Sequence, residues 1–172
     1  ALPIKGLEAY RSGSEVLYKL MLKNGADNTD FTYYTEEQQK QFFDTDLPAA
    51  GEKWAQNIAD FCAAQGYSED NTAKSAMAAY GYGDVDDNGV LTAPSGKTYD
   101  DPTMADFFNE IVANYDGDYQ TASDTETADA SLFDFLDDSY KATVETGSSA
   151  DHVEGIQKTG DYSVRVTLTD VD

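Results

Sequence analysis

Residues 84–92 run Asp84-Val85-Asp86-Asp87-Asn88-Gly89-Val90-Leu91-Thr92. Side-chain oxygens stand at the first, third and fifth positions, glycine at the sixth and an aliphatic residue at the eighth. Alternate oxygens can converge on a hard cation, glycine permits the sharp turn, and the residue at the seventh position contributes its backbone carbonyl. Asp84, Asp86, Asn88 and Val90 are therefore the candidate calcium ligands. The pattern lapses at the twelfth position, where Ser95 stands instead of a bidentate glutamate, and the flanking residues 90–99 read as a hairpin, not a helix. Asp100 or Asp101 would have to complete the shell. A plain surface turn is the competing reading of the same residues.

Other chemistry is sparse. His152 is the single histidine and Cys62 the single cysteine, so a zinc site lacks its ligand set. His152 lies at the entry to a strand pair, with no nucleophile-elbow pattern in the chain, and reads as a surface residue. Cys62 sits in an apolar helical pattern and reads as a small core residue. Gly81-Tyr82-Gly83 lacks the third glycine, the preceding strand and the lysine of a phosphate loop. No carboxylate pair stands out among 33 acidic residues. The expectation is a protein that is not an enzyme and holds no cofactor other than calcium.

Charge narrows the partners. The formal net charge is -22, and residues 84–138 hold 15 acidic residues against one basic, Lys97. Such a surface repels phosphate backbones and anionic headgroups, which argues against nucleic acid and against docking on an acidic membrane. No apolar run approaches the roughly 18 residues of a membrane span, so direct membrane insertion is not expected. A hydrophobic content of 40% with 12 tyrosines is that of a packed domain, and the aromatic residues recur at core-like helical spacing.

The elements that would position these residues are mostly helical. Ser14 is expected to cap a helix to Asn24, with Val16, Leu17, Leu20 and Met21 on one side and Gly25 as its stop. Thr35-Glu36-Glu37-Gln38 has the form of a capping box. It opens a helix that Pro48 breaks or restarts, with Trp54, Ile58 and Phe61 as its stripe and Gly66 as its end. A short alanine-rich helix spans 70–80. Val90–Thr92 and Lys97–Tyr99 flank Ala93-Pro94-Ser95-Gly96 as a small hairpin. Asp101-Pro102 predicts a helix start, with Phe107, Ile111 and Tyr115 on its apolar face, Phe108 and Val112 beside it, and Gly117 as its end. A polar stretch continues to about 125. Leu132, Leu136, Tyr140 and Val144 then recur every four residues, which predicts a last helix to about Thr146.

The final stretch alternates with period two. Tyr162, Val164, Val166 and Leu168 fall on one face; Ser163, Arg165, Thr167 and Thr169 fall on the other. That pattern predicts a half-buried strand, paired through Thr159-Gly160-Asp161 with a shorter strand over Val153–Lys158. A lone hairpin is marginal in water, so this one needs a surface to dock on. The N-terminal segment around Leu2 to Leu7 is the expected pairing partner, with the helical core as substitute.

These ends carry a resemblance. Val153, Ile156, Asp161, Tyr162, Val164, Val166, Leu168 and Asp172 resemble a hairpin found in the oligopeptide/dipeptide-binding family of bacterial ABC-transporter solute-binding proteins. Leu2-Pro3-Ile4-x-Gly6-Leu7-x-x-Tyr10 is similar to a segment that lies close to that hairpin in ordinary members, whereas about 140 residues separate the two here. About 30 of 172 residues are covered, and the signal peptide, lipid-attachment cysteine and ligand-cleft strands of the family are not among them. No ligand residue of the family therefore carries over.

The resemblance implies a helical domain inserted into such a protein and excised with its flanking strands. On that reading residues 1–13 are an extended segment of the parent body, 14–147 the inserted domain, and 148–172 a β-hairpin of the parent. The fold expected is mainly α (α+β), with a small internal hairpin and the C-terminal β-hairpin. The implied function is non-catalytic, within an exported, lipid-anchored, cell-surface protein for peptide transport. Peptide substrate and ABC permease would be met only through the parent. The alternative is a calcium-stabilised extracellular interaction or adhesion module, motivated by Asp84–Thr92 and the charge.

Overall fold

The computed structural model describes residues 4, 5, 7, 13–147 and 153–169. The fold is mainly helical α+β. In order the chain forms β1 (Gly13–Val16), α1 (Leu17–Asn24), α2 (Glu36–Gln41), a π-helical turn (Phe42–Asp46), α3 (Leu47–Ala64), α4 (Ala73–Tyr80), β2 (Asp84–Val85), β3 (Leu91–Thr92), β4 (Thr98–Tyr99), α5 (Met104–Asn114) and α6 (Tyr119–Thr125). Two 3-10 turns, Leu132–Phe135 and Asp138–Lys141, lead to β5 (Thr143–Thr146), β6 (Ile156–Gly160) and β7 (Ser163–Val166). The chain divides into two compact units, Asn24–Asp138 and Ala1–Lys23 with Ser139–Asp172. Charge divides with them. The 24–138 unit carries 25 acidic and four basic residues, the other unit eight and seven.

Within the 24–138 unit, the apolar spacing of α3 and α5 builds the core. Trp54, Ile58 and Cys62 are fully buried on α3, as are Phe107 and Ile111 on α5. Phe61, expected on the same stripe, sits at its margin and meets Tyr67 edge-on, with ring centroids 6.3 Å apart. The helices approach closely at Gly51, where an added Cβ would lie 2.4 Å from the Phe108 ring. Trp54 stacks edge-on with Phe108 and donates Nε1–H to the Ala130 carbonyl at 3.1 Å, satisfying the one polar atom of a buried indole. Thr35 and Gln38 close the expected capping box. The α-helix restarts at Leu47, with Pro48 in its first turn, as expected. The π turn before it widens the spiral, and Leu47 N–H bonds Phe42 O, five residues back, where a proline ring would otherwise crowd a carbonyl.

Several expected boundaries are corrected. Ser14 does not cap a helix: Gly13–Val16 pairs antiparallel with Thr143–Thr146, and helix begins only at Leu17. The helix expected through Thr146 is two 3-10 turns and strand β5. Ser131 and Asp134 form a tight capping box, Leu136 is extended, and Asp137, Asp138 and Ser139 favour turns over helix. Leu132, Leu136 and Tyr140 are buried all the same. Helix α5 starts at Met104, because Thr103 and Asp106 satisfy each other's backbone N–H groups and supplant Asp101 as cap. The polar stretch after Gly117 contains α6, capped by Asp118. The internal hairpin gains a third strand, β2, in the order β2-β3-β4.

Candidate functional site

The terminal sheet is where sequence pattern and structure part most. In β6–β7, Ile156 stands opposite Val166, Gln157 opposite Arg165 and Lys158 opposite Val164, with an irregularity between Lys158 and Gly160. The turn falls at Asp161-Tyr162. Ile4 bridges Leu168, as the N-terminal segment was expected to do. Lys5 enters the base of the hairpin: its N–H bonds Thr167 O at 3.0 Å, and its carbonyl accepts Gly155 N–H at 2.7 Å. Thr167 N–H in turn reaches Gly155 O at 2.7 Å. The junction is so tight that a Cβ on Gly155 would meet Lys5 O and Thr167 O at 2.7 Å.

The expected burial of one face is not observed. Ile156, Val164, Val166 and Leu168 are 43%, 61%, 51% and 50% exposed, and Tyr162 is fully exposed. Paired residues of adjacent strands project to the same side, so Ile156, Val164, Val166, Leu168 and Ile4 share one largely apolar face, with Lys158 among them opposite Val164. These side chains are already about half covered, so burying the rest of each would contribute about 0.7–1.5 kcal/mol. His152 lies outside the described residues, as do Leu2, Gly6, Tyr10 and Asp172.

The four candidate calcium ligands are brought into one turn. Asp84 is in β2, opposite Thr92. Asp86 N–H bonds Val90 O at 3.0 Å, and Asp86 Oδ1 accepts the N–H groups of Asn88 and Val90, both at 2.9 Å. The Val90 N–H is the main cause that holds the Asp86 carboxyl below its ordinary range. Gly89, at φ +79°, makes the reversal, and Lys74 Nζ donates to its carbonyl at 2.7 Å. Asp86 Oδ1 and Val90 O thus already serve the turn. Ser95, at the twelfth position, donates to Glu110. Among the described residues no group of three or more His, Cys, Asp or Glu side chains is placed to hold a metal ion.

Two carboxylates that spacing did not single out are gathered by the fold. Glu126 Oε1 accepts the phenol hydroxyls of Tyr82, at 2.8 Å, and Tyr115. Burial, then Glu126, pushes the neighbouring Tyr80 phenol up to about 12. Glu110 is only 3% exposed, and its Oε1 accepts Ser95 Oγ at 2.9 Å and Tyr99 OH at 2.6 Å. A signal for Glu110 existed in the sequence: it lies between Phe107 and Ile111, within the apolar arc of α5. Cys62 is buried as expected, and burial raises its thiol pKa. No protein-family model, curated protein or solved structure matches this chain.

Proposed function

We propose that this chain is a guest domain carried, with its flanking strands, by an exported solute-binding protein of ABC-type peptide uptake, and that its role is non-catalytic. The terminal sheet then belongs to the carrier, which captures short peptides and hands them to a permease from a lipid-anchored position at the cell surface. The guest shapes access to the carrier's cleft or touches a partner.

One observation carries this reading. Hairpin β6–β7, tied at its base to Ile4 and Lys5, leaves a largely apolar face about half exposed although its alternation calls for a buried one. Two others support it. The strands that flank the 24–138 unit in sequence, β1 and β5, pair with each other, as the entry and exit of an inserted body would. The net charge sits almost wholly in that unit.

The test uses the full reading frame, with and without residues 14–147. The intact polypeptide is expected to bind short peptides in equilibrium assays, and the deletion to change peptide affinity and uptake severalfold. An intact polypeptide that binds no peptide would sink the carrier reading. Unchanged affinity and uptake in the deletion would sink the role in cleft access.

A further inference from the structure

The buried carboxylate of Glu110 faces an opening that the fold does not use. Pro94 and Ser95 of the β3–β4 loop and Glu110, Ala113 and Asn114 of α5 line a cleft of about 190 Å³. Ser95 and Tyr99 both donate to the same oxygen, Oε1, and these two bonds suffice to tie the hairpin to the helix. Oε2 has no hydrogen-bond partner among the described residues, yet it is not sealed from solvent. Nor does Glu110 form an ion pair there. A glutamine would offer Ser95 and Tyr99 an acceptor of the same shape, though a weaker one than a carboxylate. The two hydroxyls engage one oxygen of the carboxylate and leave Oε2 without a partner among the described residues.

The geometry points to a binding site for a primary ammonium group on a short aliphatic stem, seated in the cleft against Glu110 Oε2. Exclusion and fit select the class. A guanidinium fork binds a carboxylate best through both oxygens, and here one is already taken by two hydroxyls. A divalent cation needs about six to eight oxygens, and the described residues gather no such set. An ammonium is a compact point charge that needs one strong anionic acceptor. The Asn114 carboxamide offers a second acceptor at the lip, and Pro94 and Ala113 offer apolar wall for methylenes. A unit with 25 acidic and four basic residues also raises the local concentration of cations. Either a free alkylamine or a peptide-borne lysine carries this group.

The test titrates the whole 172-residue chain, followed by backbone amide NMR, with n-butylammonium and separately with a capped lysine amide. Saturable shifts are expected in Ser95–Tyr99 and Ile111–Tyr115, with a Kd on the order of a millimolar, and none with n-butanol. Binding of both cations would identify a lysine side chain as an admissible source; binding of n-butylammonium alone would restrict the site to small amines. Glu110→Gln, which keeps the acceptor for Ser95 and Tyr99, should weaken binding by about tenfold or more. Ala113→Trp, on the exposed lip, should block the cleft without touching Glu110 and decides the matter if the first variant misfolds. Absence of saturation, an unchanged Kd in both variants, or shifts spread over the whole acidic surface and abolished by salt would overturn the site.

Discussion

Four aspartates serve as local clasps. Asp30, Asp70 and Asp118 each accept a backbone N–H and a hydroxyl from one threonine, Thr32, Thr72 and Thr121, and Asp86 accepts two backbone N–H groups. The threonine hydroxyl chiefly lowers the carboxyl pKa of Asp30 and Asp70, and backbone N–H groups chiefly lower those of Asp86 and Asp118. A carboxyl whose folded pKa lies below its unfolded value stabilises the fold above the unfolded value, near 4. That contribution is lost as pH falls through the folded value. In high salt, where net charge is screened, the melting temperature should therefore fall between about pH 4 and 2. Asp70→Asn with Asp118→Asn keeps an acceptor at each clasp without the titration and should flatten that fall; circular dichroism melts check it. Of such short-range pairs, Thr35 with Gln38 was legible in the sequence, whereas Asp118 with Thr121 and Ser131 with Asp134 were not. The same rule misled at Asp101-Pro102, because Thr103 and Asp106 offered a reciprocal pair two residues on. Glu110 drew no notice because its partners, Ser95 and Tyr99, come from the β3–β4 hairpin, 15 and 11 positions away.

Helices α3 and α5 meet through a gap that only glycine leaves open. At Gly51 an alanine Cβ would fall 2.4 Å from ring atoms of Phe108, a ring itself held against Trp54 and Tyr119. Gly51→Ala gains up to about 1 kcal/mol in helix propensity. The ring displacement costs about 1–3 kcal/mol, so a net loss is expected. Urea unfolding with an unchanged m-value would show it; a stabilised variant would mean that the ring moves freely. Elements whose apolar period was reinforced by local caps were readable in advance: α2 with α3, α4, and the body of α5. The final predicted helix was not, although its spacing of four was real. Leu132, Leu136 and Tyr140 are buried, but Asp137, Asp138 and Ser139 draw the backbone into turns. Strands β1 and β5 were missed for a different reason. Their bonding partners lie some 130 residues apart, and four residues each give too short a run for period two to show.

With 25 carboxylates against four cations, most of the repulsion within the 24–138 unit has no counter-charge of its own. Raising NaCl from about 0.02 to 0.5 M at pH 7 shortens the screening length severalfold and should raise the melting temperature by several degrees. A flat or falling response would show that the repulsion is equal in the unfolded chain. The units divide at 23/24 and 138/139, whereas periodicity and resemblance placed the flanks at 13/14 and 147/148; strands β1 and β5, nearly all of α1 and the end of the second 3-10 turn occupy the difference. Alternation in the terminal strands was legible; what covers their apolar side was not, since alternation specifies a face and leaves its occupant open. The Lys5 junction has a consequence for the order of assembly. During synthesis, Lys5 emerges about 150 residues before Gly155 and Thr167, so its bonding partners do not yet exist. Closing so long a flexible loop is entropically expensive, but a folded 24–138 unit removes most of its freedom. Shortening the effective loop from about 150 to about 35 residues lowers the closure cost by about 1 kcal/mol. The helical unit is thus expected to fold first, and the Lys5–Gly155–Thr167 junction to form last and open first.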